Sequence, residues 1–461
     1  MNTPATNYRQ FAALVLFSVQ LFTISAVASD NKVRPATTRP SSKGLQTLPP
    51  LAHKINGKWR FEVPMAQTAG VGYMEGDGII ESSGFFALLS LELAPGIQLK
   101  KRLLRIGMNV SYDSRETIGF SLAERHVHGG PDFRLRLGTK WDVGLTSDGG
   151  YCFRPNWPDS YQPVVTVNDL TGEQQRSGKL HGSDRNSYFH IGTDTYIKYR
   201  FTRRLSVEVY GGYDFKGYRH DPGYDENEAP THLVPGDRHR VSGGIQLVGS
   251  TPERFWRFTL DTRIEDRRYT RTYARDAKTG YTHASSVTTS PNPLQHFVLL
   301  RLRQRNSFKL IDDVLKAVLI GEYTRKNDVY QGYYTTNSFA LDIILSWTPT
   351  SRLELSVGYD LIYEKYTKDG YQASIDWPTD RHHPPLDNGN TIRDEFTYGA
   401  TGRAEFATGV TNLHLFLQGD FKKNRTNFPD YEPGVFPRDQ QYRINWDYLN
   451  WQLLFGVAFK M

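Results

Sequence analysis

The fold of this chain is decided by stretches such as RLELSVGYDLIYE, residues 352–364, in which apolar and polar side chains alternate. The residues at odd positions are aliphatic or aromatic, from Leu353 to Tyr363, while the other face carries charges such as Glu354 and Asp360. A period of two places these two sets on opposite sides only if the chain is a β-strand. The stretch therefore predicts a strand with one apolar and one charged face.

The same alternation recurs along most of the chain, in residues 133–143, 204–216 and 256–265. These segments are longer than the five or six residues typical of strands in soluble proteins. A soluble β-sandwich also alternates apolar and polar residues, but it has shorter strands. The pattern thus favours an all-β transmembrane barrel, with an apolar face toward lipid and a polar face toward the lumen.

Short turns and long polar loops follow one another between the predicted strands. The turns lie near Thr202, Pro252, Asp312, Thr350 and Gly409, and long loops cover, for example, residues 219–237 and 368–391. Bacterial barrels have short periplasmic turns and long extracellular loops. An antiparallel up-and-down barrel of about fourteen strands is predicted, within a range of about twelve to eighteen, with three of them before Tyr188.

The overall composition agrees with a barrel in lipid. The chain has 27 Tyr, 25 Phe, 8 Trp and 40 Gly, yet its mean hydropathy is −0.54 and 23% of its residues are charged. The net charge of +7 is spread along the chain rather than gathered in one patch, so we expect no nucleic-acid partner. The single cysteine, Cys152, excludes an internal disulfide.

The N-terminus predicts export. Arg9 precedes an apolar stretch that ends near Ile24, and the small residues Ala26 and Ala28 follow it. This is the pattern of a Sec signal peptide cleaved after Ala28. The predicted organisation is a signal peptide (1–28), a flexible periplasmic lead-in or small plug (29–57) that is rich in Pro, Ser and Thr, and a barrel (58–461).

The C-terminal stretch WQLLFGVAFKM, residues 451–461, ends inside an aromatic alternation. It resembles the terminal signal of outer-membrane β-barrel proteins, although Met461 stands where Phe is usual in that family. Trp451, Phe455, Phe459 and Met461 would form this signal. The resemblance implies insertion into the outer membrane by the barrel assembly machinery, in contact with outer-membrane lipid and lipopolysaccharide. Polysaccharide-associated β-barrel porins are also similar in their charged, tyrosine-rich strands.

On this interpretation the charged strand faces line the lumen. The lumen-lining candidates are Arg134, Arg136, Lys140, Asp194, Arg200, Glu208, Asp214, Arg257, Asp261, Arg263, Arg301, Arg303, Asp360 and Glu405. Such charges either surround water or form a network that closes the pore. Because about fourteen strands leave more room than the eight that side chains alone can fill, we expect a channel for small hydrophilic solutes, saccharides among them.

Two other functions stay open. Loop aromatics such as Trp157 and Trp377 are of the kind that stacks on sugar rings, which suits a surface receptor or adhesin. Asp237 and His239 lie two residues apart at a strand end, where an Asp–His pair activates water in a rim hydrolase. A solvated rim pair is the simpler interpretation, so we expect no enzymatic activity. His382 and His383 lack further ligands at metal spacing, and we expect no metal or other cofactor.

Overall fold

The computed structural model describes the chain from residue 51 to 460 with gaps. The described residues are 51–55, 59–77, 81–99, 103–118, 123–154, 157–158, 164–167, 174–177, 182–183, 187–218, 237–253, 255–274, 293–312, 314–330, 332, 334–367, 394–410, 412–426 and 449–460. Within these ranges no helix is long and apolar enough to cross a membrane. The predicted signal peptide, the lead-in up to residue 50 and Met461 lie outside them.

The described residues form strands joined by turns. In chain order the strands are β1 (Leu51–Ile55), β2 (Trp59–Val63), β3 (Met65–Asp77), β4 (Glu81–Leu93), β5 (Gly96–Leu99), β6 (Leu104–Ile118), β7 (Ala123–Leu137), β8 (Trp141–Phe153), β9 (Trp157–Pro158), β10 (Val164–Val167), β11 (Gln174–Ser177), β12 (Gly182–Ser183), β13 (Tyr188–Arg200), β14 (Leu205–Tyr218), β15 (Arg238–Ser250), β16 (Trp256–Tyr273), β17 (Leu294–Ile311), β18 (Leu315–Asp328), β19 (Thr336–Thr350), β20 (Leu353–Tyr366), β21 (Asp394–Ala407), β22 (Leu413–Thr426) and β23 (Leu449–Lys460).

Sixteen of these strands close into one antiparallel barrel, β3, β4, β6 to β8 and β13 to β23. Each pairs with its neighbour along the chain, and β23 returns to pair with β3, where Phe455 lies opposite Val71 and Gly456 opposite Gly70. The sheet has no free edge in the membrane, as a hydrocarbon environment requires. The predicted all-β, up-and-down antiparallel barrel is confirmed, and its strand number lies within the predicted range.

Eleven barrel strands, β13 to β23, begin at Tyr188 or after it, in agreement with the sequence-based count. Five barrel strands precede Tyr188, where the sequence predicts three. One of the two additional strands comes from a turn at Gly138, whose φ is 64°; it divides residues 133–143, whose alternation alone predicts a single strand. Glycine adopts this left-handed conformation without a steric penalty. The other is β3, where inward glycines make the alternation too weak to recognise.

Short strands extend the sheet beyond the ring. β1 and β2 form a hairpin, and β2 also pairs with β5, which continues β4 past Pro95. The segment 59–63 is therefore a strand but not a member of the closed ring. β9 pairs with β12, and β10 pairs with β11, inside the segment that connects β8 and β13.

The outward face of the barrel is apolar. Val71 and Ile264 are 61% and 58% exposed to the surroundings, an exposure that lipid makes favourable and water does not. Aromatic pairs lie outward near both ends of the strands, Trp141 with Tyr199 at the turn end and Phe189 with Phe215 at the loop end. They form the two aromatic belts of a membrane-spanning barrel.

The inner side of the closing seam is also packed. Phe86, Phe416, Leu454 and Ala458 form a buried apolar cluster between β4, β3, β23 and β22. This packing needs Gly456, because a Cβ atom there would lie 2.3 Å from the carbonyl oxygen of Ala69 and 2.7 Å from the Phe416 ring. Small residues on one strand thus leave room for large ones on the next, and the ring closes.

Candidate functional site: the inner wall of the barrel

The charged faces of the strands turn inward. In β14, β16 and β18, for example, Val209, Ile264 and Tyr323 lie on the outer side, and Glu208, Arg263 and Glu322 alternate with them. The same alternation places all the lumen-lining candidates except Lys140 on the inward face of their strands. Their side chains lie among other charged or polar groups rather than against lipid.

Lys140 is the exception. It belongs to the turn between β7 and β8, and its Nζ lies 5.9 Å from the centre of the Tyr199 ring. Tyr199 is part of the outward aromatic belt. The expected place of Lys140 on the lumen wall is therefore wrong, because residues 138–140 form a turn and take no part in the alternation of β7 and β8.

Ion pairs link neighbouring strands on the inner wall between β6 and β13. Asp132 is fully buried and accepts hydrogen bonds from Arg105 and from Nε of Arg134, the second at 3.1 Å. Asp142 is shared between Arg136 and Arg200. Each carboxylate therefore joins strands that also share backbone hydrogen bonds, and its charge is compensated where it lies.

A second network follows the wall from β14 to β18. Asp214 binds Arg240 at 2.8 Å, and Asp261 accepts a 2.6 Å hydrogen bond from the Tyr210 hydroxyl. Arg301 lies 3.6 Å from the Asp261 carboxylate, and Arg303 lies 3.5 Å from that of Glu322. On β21, Glu405 binds Arg403 at 2.9 Å. Charges of opposite sign are thus paired at these positions of the wall.

The signs are not evenly mixed. β17 presents Arg301, Arg303 and Arg305 to the lumen, and β19 and β20 present Asp342, Glu354, Asp360 and Glu364, while β16 and β18 carry charges of both signs. Asp342 and Asp360 occupy opposite positions in the register of β19 and β20. A basic strip and an acidic strip therefore run side by side along the inner wall.

The structure also brings together a histidine cluster that the sequence analysis missed. His126 and His128 on β7, His190 on β13, Asp113 on β6 and Asp148 on β8 all face the lumen near the loop end of the barrel. The rings of His126 and His128 stack with their centres 4.5 Å apart. The signal in the sequence is His-Val-His, since a period of two places both imidazoles on one face of a strand, but the apolar–polar alternation of this segment is too weak to predict which face is the inner one.

The predicted rim pair has other partners. His239 faces outward, where Nδ1 lies 2.8 Å from the Tyr213 hydroxyl and the ring packs on Phe215. Asp237 accepts a 2.7 Å hydrogen bond from the backbone N–H of Tyr218. These contacts give both residues a structural role at the strand end. The loop histidines 382 and 383 and the side chains of the loop tryptophans 157 and 377 lie outside the described residues.

A closed antiparallel barrel that is apolar and belted with aromatic residues outside, and charged inside, is a β-barrel of the outer-membrane type. This is the class of the protein, and the outer membrane is the location that its surface fits. At its C-terminus, the predicted signal residues Trp451 and Phe455 point outward and are 37% and 52% exposed; Phe459 follows in the same alternation.

The sequence matches no protein-family model, and no curated protein matches it significantly. Its structure is similar to OmpT, an outer membrane protein of Vibrio cholerae, with 8% identity over 87% of this chain and 99% of that one and a TM-score of 0.43. OprB of Pseudomonas putida has 11% identity over 87% and 94% of the two chains (TM-score 0.42), and the outer membrane channel DcaP of Acinetobacter baumannii has 9% over 88% and 99% (TM-score 0.42). At these values none of the likenesses assigns a substrate.

Proposed function

We propose that the protein is an outer-membrane channel for small hydrophilic solutes, saccharides among them. The observation that carries the proposal is the exposure of charged side chains on the inner wall of a sixteen-stranded ring. Asp148 and Arg134 point inward and are 48% and 44% exposed. Side chains in a lumen filled by protein would be buried, so this exposure supports a water-filled interior.

The size of the ring supports the same conclusion. An eight-stranded barrel is just filled by its own side chains, whereas barrels of about sixteen to eighteen strands leave an aqueous channel. The predicted barrel of about fourteen strands is already wider than a barrel that its own side chains fill, and the two further strands widen the interior. The ring is therefore large enough for solutes that carry their hydration water.

The arrangement of charge supports hydrophilic solutes rather than ions of one sign. A basic strip and an acidic strip on neighbouring strands produce a local field along the inner wall, which orients polar molecules without excluding ions of either sign from the whole cross-section. Sugars are neutral and rich in hydroxyl groups, so they can exchange hydrogen bonds with both strips. Passage needs no bond to be broken, and we propose a transport function without catalysis.

Planar-bilayer conductance of the refolded protein tests the proposal, together with the swelling of protein-containing liposomes in a series of saccharides of increasing size. Steady openings are expected, and swelling should be rapid for small sugars and slow for large ones. Protein that shows the gel mobility of a folded barrel but passes neither current nor sugar would contradict the channel. It would favour the receptor, adhesin or hydrolase function instead.

Two partners belong to the same proposal. The outward alternation of Trp451, Phe455 and Phe459 suits recognition of the last strand by the barrel assembly machinery. Near the loop end the outer surface carries a polar group in which Asp266 binds Arg268 at 2.8 Å and His296 at 2.9 Å. Such a group at the level of the lipid headgroups suits contact with lipopolysaccharide.

A further inference from the structure

The cluster of His126, His128 and Asp113 has the donor set of a metal centre. Each of the three residues brings one ligand atom within 4.8 Å of the other two. Two imidazoles and one carboxylate are a ligand set used for zinc and for other divalent transition metals. The three side chains come from adjacent strands, β6 and β7, whose backbone register places Asp113 directly opposite His126.

The hydrogen bonds of His128 direct one nitrogen toward this centre. Its Nδ1 lies 3.0 Å from Oδ1 of Asp148. An ionised carboxylate only accepts hydrogen bonds, so Nδ1 carries a proton, and in the neutral imidazole Nε2 carries the lone pair. Nε2 lies on the side of Asp113, 3.9 Å from Oδ2. A carboxylate that holds the far nitrogen of a histidine is the usual support of a metal-binding imidazole.

Asp113 is oriented in the same way. The Ser90 hydroxyl donates a 2.6 Å hydrogen bond to Oδ1 of Asp113, and Oδ2 is the oxygen nearest to His128. His126 completes the set, because its Nε2 is buried and has no hydrogen-bond partner among the described residues. A buried polar nitrogen without a partner is costly, and a metal ion would satisfy it.

The second carboxylate does not compete for this role. Oδ1 of Asp148 accepts the hydrogen bond from Nδ1 of His128, and Oδ2 of Asp148 lies 3.1 Å from Nε2 of His190. Both oxygens of Asp148 are therefore engaged by imidazole N–H groups. The ligand atoms of Asp113, His126 and His128 lie together on the other side of His128, within 4.8 Å of one another. Tetrahedral ligands with bonds of about 2 Å lie about 3.3 Å from one another, so small side-chain rotations close the site.

We infer that Asp113, His126 and His128 bind one divalent transition-metal ion of the zinc class on the lumen wall near the loop end, with Asp148 and Ser90 as positioning residues. The ion would lie where solute in the lumen reaches it, with its remaining coordination positions open to water. This site does not depend on the proposed channel function, because binding is measured on the folded barrel whether or not it conducts.

Equilibrium binding of Zn²⁺ to the refolded barrel in detergent, by titration calorimetry, tests the inference, and the absorption spectrum of bound Co²⁺ reports imidazole ligands. One ion per chain is expected. His126→Gln and Asp113→Asn should each weaken binding at least tenfold, and Asp148→Asn should weaken it by about 10- to 100-fold through the loss of support for His128. His239→Gln, an outward histidine of the same barrel, is the matched control and should bind as the wild type does.

Heat-modifiable gel mobility establishes that each variant is folded before binding is measured. Zinc binding by the wild type that is no stronger than nonspecific uptake would overturn the inference. So would binding that survives His126→Gln and is lost in His190→Gln, because the ion would then lie on the Asp148 side of His128.

Discussion

Asp132 is the position where the inner-wall network predicts the largest loss of stability. Its carboxylate is fully buried, is bound by Arg105 and Arg134, and accepts a 3.3 Å hydrogen bond from the Thr146 hydroxyl. It thereby joins β6, β7 and β8. Asp132→Ala removes the carboxylate and leaves the Arg105 side chain, which is 18% exposed, without its buried counter-charge.

Removing one partner of a buried ion pair costs about 3–5 kcal/mol, whereas Arg134, 44% exposed, loses little because water replaces its partner. The free energy of unfolding should therefore fall by about 3–5 kcal/mol, which lowers the folding equilibrium constant by about two to three and a half orders of magnitude. Asp132→Asn keeps the size and one acceptor oxygen, and it should cost less. In Arg105→Ala/Asp132→Ala part of the stability should return, since no buried charge is left unpaired.

Urea titrations of the protein folded in lipid vesicles, followed by tryptophan fluorescence and by gel mobility, measure these differences. Asp194→Ala is the control, because Asp194 is also an inward carboxylate but is exposed. Equal unfolding midpoints for Asp132→Ala and Asp194→Ala would refute the reasoning. So would a double variant that is less stable than Asp132→Ala by the full cost of a second substitution.

Three further predictions concern topology and closure. In a Cys152→Ser background, a cysteine at Asn227, in a loop predicted from the sequence, should react with an impermeant maleimide on intact cells, whereas one at the turn position Thr408 should not; the reverse labelling would invert the assigned orientation of the barrel. Phe459→Asp places a charge on the lipid face of the last strand and should reduce insertion, as measured by heat-modifiable mobility, so normal insertion would count against the terminal signal. Gly456→Val should destabilise the barrel by about 1–3 kcal/mol through overpacking relative to a valine at Gly402, where a Cβ atom meets nothing within 4 Å, and equal stability would contradict the packing of the seam.

The architecture could be predicted because a period of two is a local property of the sequence. Residues 352–364 carry apolar side chains at every odd position and mostly polar ones between them, and residues 353–364 lie in β20 with Val357 outward and Asp360 inward. The eleven strands after Tyr188 were countable for the same reason. Lipid outside and water inside impose opposite chemistry on the two faces of these strands, so the pattern identifies both the strand and its orientation.

The remaining strands escaped prediction where the pattern depends on neighbours in space. In β3 the inward positions include Gly70 and Gly72, which are small because the side chains of Leu454 and Phe86 occupy that space. Nothing within residues 65–77 shows this requirement. A turn of three residues at Gly138 was likewise hidden, because the polar and apolar residues on either side continue an alternation across it.

The histidine cluster could be predicted only in part. His126 and His128 share a face by spacing alone, but their companions lie far away along the chain, Asp148 on β8 and His190 on β13. Pairing of β8 with β13 places Gly150 opposite His190, across a connection of more than thirty residues. Sequence spacing cannot supply that register, so the set of charged residues was visible and their assembly was not.

The central claim, that the charged strand faces line a conducting lumen, is tested most directly by ion selectivity after Arg301→Glu/Arg303→Glu. Both arginines lie inward on β17, 23% and 12% exposed, and their replacement changes the wall by about four charge units while leaving the lipid face intact. Arg203→Glu/Arg204→Glu makes the same change in the turn before β14 and is the matched control.

Reversal potentials under a salt gradient give the selectivity. The Arg301→Glu/Arg303→Glu variant should insert normally and shift toward cations, more strongly at low salt, because the charges act over about one Debye length, about 8 Å at physiological ionic strength and longer below it. The turn variant should shift less. A variant at positions 301 and 303 that inserts, conducts and keeps the wild-type reversal potential would contradict the claim, because those side chains would then lie outside the path of the ions.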